Sequence, residues 1–449
     1  MKKLLICFAV IACLLSACKS PTQSNEEITY INLSDIEITI NGTSTFDTAN
    51  GVYIANDIVY YQSGNDFTYG EGTENDAHSA EEALSHTVVH ITKAGKYSLS
   101  GKLSKGQIAI DLGEDAKEDK NAVVTLILNN VDITCTVAPA IIFYNVYECG
   151  DDDEENATKD VDTSKAGANV IIADGSTNNI NGSYVAKIYK SYELNDAGTE
   201  VTESKKLHKY DGAFYSKMSM NVNGESNGDG VLNINAQNEG MDSELHLTIN
   251  GGIININSGN DGINTNEDNI SVTTINGGEV NITVNGATGE GDGIDSNGWL
   301  VINGGKVSAY ACSFSADSGI DSDKGIHING GTVVATGSML DKIENGSQPY
   351  ALFNFQQKQK GGTPLTLKDN EGNAVLDITP NNDFSLLIIS APDLTGANYT
   401  LYSGETQIAT QGGMGGMGGM RPDGTRPEPP NGERPEFPDG SRPEPPQMS

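Results

Sequence analysis

Between residues 222 and 336 the chain alternates apolar and polar side chains in short runs separated by Gly-rich turns. Ile254 and Ile256 flank Asn255, and Val280, Ile282 and Val284 enclose Asn281 and Thr283. Val307 with Ala309 and Val333 with Ala335 keep the same phase. A period of two belongs to a strand with one buried face, so these apolar residues point inward. Asn255, Asn257, Asn281, Thr283, Ser308 and Thr336 then point outward. No helical period of useful length interrupts the pattern, so the predicted elements are short strands.

The strands recur. Ile249-Asn250-Gly251-Gly252 returns at Ile275, Ile302 and Ile328, at intervals of 26, 27 and 26 residues, and Val222-Asn223-Gly224 lies 27 residues before the first copy. A second motif keeps step with it. Met241-Asp242-Ser243, Ile294-Asp295-Ser296 and Ile320-Asp321-Ser322 each begin eight residues before the isoleucine, as does Phe214-Tyr215-Ser216 before Val222. Ile263-Asn264-Thr265 begins twelve before, which places an insertion near Glu267 to Ile270. A unit of this size cannot bury its apolar face alone, so the units must stack. The prediction is an all-β parallel β-helix in which Asn250, Asn276, Asn303 and Asn329 stack at one turn, a structural row of amides.

Proline divides the chain. None occurs between Pro139 and Pro349, as befits strands paired on both sides, whereas nine of the 15 fall from Pro422 to Pro446. Residues 409–449, with their Gly-Gly-Met and Arg-Pro repeats, read as a disordered low-complexity tail. Residues 28–345 are predicted to form the β-helix of roughly ten coils, and residues 346–408 a β cap over its last edge. Residues 1–17 read as an export signal, with Lys2-Lys3 ahead of an apolar Leu4–Leu15 core too short to span a bilayer. The signal ends in Leu15-Ser16-Ala17-Cys18, which resembles a lipoprotein lipobox and implies lipidation at Cys18, with residues 18–27 as a linker. That implies a lipid-anchored protein on a cell membrane or outer membrane, exposed outside the cytoplasm. Lys19 is not an Asp retention signal, which favours the outer location. Cys135, Cys149 and Cys312 remain after the signal; Cys135 and Cys149 either pair or are buried as small apolar residues.

Charge then narrows the function. The formal net charge is −34, from 27 basic and 61 acidic residues, which argues against nucleic acid as a partner. All four arginines (Arg421, Arg426, Arg434 and Arg442) lie in the tail, so no chemistry in the body uses a guanidinium. The repeat phase aligns the acids. One outward column holds Tyr215, Asp242, Asn264, Asp295 and Asp321, and the next Lys217, Glu244, Asn266, Asn297 and Asp323. Glu239, Asp261, Asp292 and Asp317 stand just before them. Carboxylates one strand spacing apart, about 4.8 Å, repel by roughly 3–4 kcal/mol at an effective dielectric near 20. Such columns are either a solvated acidic face or a ladder for Ca²⁺, which takes oxygen ligands in irregular geometry. Asp295, Asp321 and Asp323 are the leading candidate ligands, followed by Asp292, Asp242 and Glu244. His246 and His327 are expected on the exposed face, without Cys or His partners at zinc spacing. Trp299, the single tryptophan, either offers a sugar-stacking platform, extended by the outward Tyr215 and Tyr310, or lies over a neighbouring turn. One indole suits soluble or amorphous chains better than a flat crystalline surface.

Further blocks carry a family resemblance. They are Ile91 to Gly101 (ITKAGKYSLSG), Leu126 to Thr134 (LILNNVDIT) followed by Ala138-Pro139-Ala140-Ile141, and Ala173 to Asn178 (ADGSTN). Near the end come Leu352-Phe353-Asn354-Phe355, Phe384 to Ile388 and Tyr399 to Tyr402. With the repeat, and over roughly residues 28 to 405, the chain resembles the bacterial carbohydrate-binding, polysaccharide-lyase-like β-helix family of surface proteins. Asp151 to Lys165 and Tyr184 to Tyr210 stand out as insertions. The resemblance implies a right-handed β-helix, polysaccharide as partner and calcium as cofactor, and it tips the acidic columns toward Ca²⁺.

Three function classes follow. The first, which the sequence favours, is a monomeric binding module for pectic or cellulosic polysaccharide, with Ca²⁺ bridging acidic protein to any acidic sugar. The second is a calcium-dependent lyase, whose base must be a lysine, Lys324 or Lys217, because no arginine is at hand. The bland reading of Lys324 is a turn lysine balancing nearby acids. The third is a structural adhesin that uses Ca²⁺ for stability alone.

Overall fold

The computed structural model describes residues 27–44, 51–206, 210–344, 348–395 and 398–411. Cys18, the signal segment and the tail beyond residue 411 lie outside the described residues. Three ladders of parallel strands run through the described chain.

The first, the aspartate ladder, stacks Thr87–Ile91, Gly106–Asp111, Ile141–Asn145, Gly212–Ser216, Glu239–Ser243, Ile263–Thr265 and Ile294–Ser296. It opens on the antiparallel strand Val52–Ala55 and continues through a bridge from Ile294 to Ile320. The second stacks Ala168–Ile172, Met220–Gly224, His246–Ile249, Val272–Ile275, Trp299–Ile302 and Gly325–Ile328. The third runs from Ile28–Leu33 through Gly95–Leu103, Val124–Thr134, Thr177–Gly182, Val231–Ala236, Ile253–Ser258, Glu279–Val284 and Lys306–Tyr310 to Thr332–Gly337.

Register follows the repeat. Ile254 pairs with Val280, Val280 with Val307 and Val307 with Val333. Phe214, Ile294, Leu300 and Ile302 from the first two ladders meet Val280 and Val307 of the third in one core. The turn from the second ladder to the third is the Asn-Gly-Gly motif. There Asn250, Asn276, Asn303 and Asn329 each donate from Nδ2 to Oδ1 of the preceding asparagine, at 2.8 to 3.0 Å. A second amide row on the third ladder joins Asn233, Asn255 and Asn281 in the same way.

The parallel third ladder ends where Thr332–Gly337 pairs antiparallel with Phe384–Ser390, which pairs antiparallel with Tyr350–Gln359. Leu365–Lys368, Ala374–Ile378, Thr400–Ser403 and Thr406–Thr410 add a four-stranded antiparallel sheet. This terminal unit has its own core, around Phe353, Leu367, Phe384 and Leu401, and covers an edge that would otherwise stay open. Tyr310 is drawn into that core and is only 8% exposed, so the expected outward platform residue is a packing residue.

Both insertions leave the ladders. Tyr189–Leu194 and Val201–Lys206 form a separate antiparallel hairpin. Residues 151–165 contain one short 3-10 turn, Glu154–Asn156, and their later part, Lys159–Ser164, runs over the outer face of the second ladder. Cys135, Cys149 and Cys312 are all free thiols, with Cys135 and Cys312 buried.

Candidate functional site

The aspartate ladder brings the acids together as the phase requires. Tyr215 pairs with Asp242, Asp242 with Asn264, and Asn264 with Asp295. Asp321 follows through the bridge at Ile320 and donates its backbone N–H to the Ile294 carbonyl at 2.7 Å. In the adjacent column the amides of Glu244, Asn266, Asn297 and Asp323 donate to the strand below. Asp242 is fully buried, Asp292, Asp295, Asp321 and Glu244 are half-buried, and Asp323 is exposed.

Few cations face these carboxylates, so burial and mutual repulsion govern their protonation. Burial, reinforced by the Asp261 charge, pushes the Asp292 carboxyl up to about 9. Burial and then the Asp341 and Asp295 charges raise Asp321 to about 7. Burial with Asp323 and Asp341 raises Asp295 to about 6. Glu239 and Asp261 are raised too, first by burial, then by Asp211 and Asp295 respectively among their acidic neighbours. Backbone amides stabilise part of the charge: the Asp292 N–H donates to Asp261 at 2.6 Å, and the Ser318 N–H to Asp292.

The donor set is all oxygen, and it is incompletely used. Asn264 Nδ2 donates to Glu239 Oε1 at 3.1 Å, yet Glu239 Oε2 and Asn264 Oδ1 are buried without a hydrogen-bond partner. Among the described residues no three carboxylate, histidine or cysteine side chains converge as a ready-made metal cluster. A Ca²⁺ site draws on backbone and Asn carbonyls as well as carboxylates, so the oxygens here still suit that ion. Asp341 belongs to this group but escapes the repeat. Leu340-Asp341 echoes Ile320-Asp321 after 20 residues instead of 26, and its place shows only when the Ser322 N–H is seen donating to Asp341 at 3.1 Å.

The aromatic candidates separate. Tyr215 points outward by register, but the chain around Tyr210 covers it, with ring centroids 5.0 Å apart, and it is 1% exposed. Its hydroxyl donates to Glu244 Oε1 at 2.6 Å. Tyr215 is therefore a buried support for Glu244 and cannot stack a sugar. His246, expected on the surface, is 2% exposed beneath the chain at Gly150, accepts the Val272 N–H at 3.1 Å, and is held down to about 4 by burial. Trp299 remains half-buried at the outer face of the second ladder. Lys324 and Lys217 are both exposed, and Lys324 lies 3.8 Å from Glu154 of the first insertion.

The outer face of the second ladder carries a further feature absent from the repeat. Lys159–Ser164 runs along its outer face and encloses an open trough of about 650 Å³. Thr248, Thr274 and Val301, in register, form the floor, and the Asn250–Asn276–Asn303 row forms one wall.

The chain belongs to the family of carbohydrate-binding domain-containing proteins, whose model matches residues 85–349. No curated protein matches the sequence. Among solved structures, the gadolinium derivative of a polysaccharide lyase-like protein from C. thermocellum is similar, with 19% identity and a TM-score of 0.39, over 72% of this chain and 97% of that one.

Proposed function

We propose that this protein is a lipid-anchored surface module that binds cell-wall-type polysaccharide, pectic or cellulosic, on a right-handed parallel β-helix, with Ca²⁺ held by its stacked carboxylates. The observation that carries the reading is the family match over residues 85–349, which hold the acid columns and most of the parallel ladders. Asp292, Asp295, Asp321, Asp323 and Asp341 would hold the ion at one end of the aspartate ladder, and Asp242, Glu239 and Asn264 supply further oxygens. Bound Ca²⁺ would neutralise the repulsion among these groups and offer open coordination to an acidic sugar.

A pull-down of residues 19–449 on amorphous cellulose and on polygalacturonate, in millimolar Ca²⁺ and again in EDTA, tests this. Retention on at least one polymer in Ca²⁺ is expected, with EDTA weakening any retention on polygalacturonate most, because the bare acidic face repels that polymer. No retention on either polymer in Ca²⁺ refutes the binding reading and leaves a structural surface protein.

A further inference from the structure

We propose that the trough beneath Lys159–Ser164 is the site that takes the polysaccharide, and that its ligand is a single extended, uncharged glycan chain. The proposal rests on the polysaccharide-binding reading and assigns it a place away from the acid columns.

The wall is a row of hydrogen-bonding groups at a fixed repeat. Asn250, Asn276 and Asn303 each give one N–H to the rung before and accept one from the rung after. A primary amide has two N–H groups and two lone pairs, so each rung keeps one of each for a ligand. Hydroxyls both donate and accept, which matches this wall better than a carboxylate or an ammonium does. The rungs recur every 4.8 Å or so, close to the length of one pyranose unit in an extended chain, so successive sugars meet equivalent groups.

The floor and far wall fix the rest. Thr248 and Thr274 are polar and Val301 is apolar, and each is only 4–8% exposed at the bottom of the trough, so the ligand's main contacts fall to the exposed amide wall. One end is closed: Thr163 Oγ1 hydrogen-bonds to Asn221 and Thr248, each at 2.7 Å, and Asn221 Nδ2 donates to the Thr163 carbonyl at 2.6 Å. The chain must therefore enter from the side of Asn303 and Asn329. Lys159 pairs with Asp160 at 2.6 Å, and Asp162 adds a second carboxylate. The wall as a whole is net acidic, which disfavours a polyuronate.

Two variants test the trough while leaving the acid columns intact. Replacing residues 159–162 by Gly-Ser-Gly-Ser removes one wall, and Thr274→Arg fills the floor. Binding of cellohexaose and of a galacturonate hexamer is measured by calorimetry in Ca²⁺, with the melting temperature and its response to Ca²⁺ as the folding control. The wild type is expected to prefer cellohexaose, and both variants to lose about tenfold or more in affinity with an unchanged Ca²⁺ response. If Thr274→Arg does not fold, the loop replacement decides. Wild-type binding that both folded variants retain overturns the trough while polysaccharide binding stands. A trough-dependent preference for the galacturonate hexamer overturns the uncharged class. A wild type that binds neither oligosaccharide overturns this proposal, and only failure on the polymers as well removes the polysaccharide reading beneath it.

Discussion

In EDTA the protein loses stability as the pH rises from about 5 to about 9, and millimolar Ca²⁺ offsets part of that loss. The direction follows from the acid columns. Unfolded aspartates titrate near about 3.9, whereas the folded protein holds Asp295 at about 6, Asp321 at about 7 and Asp292 at about 9. Between those limits the folded state binds more protons than the unfolded state, so stability falls with rising pH. The loss begins above the unfolded value and is complete once the pH passes the highest folded one. Calcium favours the ionised carboxylates and offsets part of the penalty. At a hundredfold excess over its dissociation constant it contributes about 2.7 kcal/mol. Asp292→Asn removes a group held at about 9, so in EDTA near pH 9 this variant melts above the wild type, while gaining less from Ca²⁺. Melting curves across pH, with and without Ca²⁺, check all three points. A flat or rising profile in EDTA would show that the columns are ordinary solvated acids.

Gly305→Ala destabilises the protein by about 2–4 kcal/mol, far more than Gly362→Ala. Both glycines have left-handed backbone, with φ of 80° and 75°. A side chain at either site meets the same local strain, about 1–2 kcal/mol. Their surroundings differ. A Cβ on Gly362 has nothing within 4 Å, whereas a Cβ on Gly305 falls 2.6 Å from the Gly278 carbonyl oxygen and 2.8 Å from the Gly277 carbonyl carbon. Those atoms belong to the neighbouring Asn-Gly-Gly turn and cannot rotate away. Relieving the clash spreads two stacked units and stretches the Asn276–Asn303 bond of the amide row. Denaturation midpoints of the two variants measure the difference directly. Equal losses would mean that the turns are not packed in contact.

The stacking was legible in the sequence because two motifs kept phase over successive units. A spacing near 26 sets which residues pair, and a period of two sets which point outward. Asp242, Asn264 and Asp295 therefore stand in the expected register. What covers each face was not legible, since the covering segments lie outside the period. Tyr215, His246 and Tyr310 all point away from the interior of the ladders. Each is nevertheless buried, by the chain at Tyr210, by the chain at Gly150 and by the terminal unit respectively. Asp341 was missed for the same reason in reverse, because its loop joins the acid columns after a shortened interval. The trough is a further case. Its amide row is periodic and was anticipated as structure, but it becomes one wall of a trough only because the insertion Asp151 to Lys165 runs beside it.

Calorimetric titration of Ca²⁺ into the metal-free protein at about pH 7, in two buffers of different ionisation enthalpy, tests most directly whether the acid columns are a cation site. Asp292 is largely protonated at that pH and Asp321 partly so, and both must ionise to act as ligands. The predicted result is binding with net proton release, seen as a heat that depends on the buffer and shrinks in Asp292→Asn. No binding heat in either buffer, or a heat independent of the buffer, would contradict it.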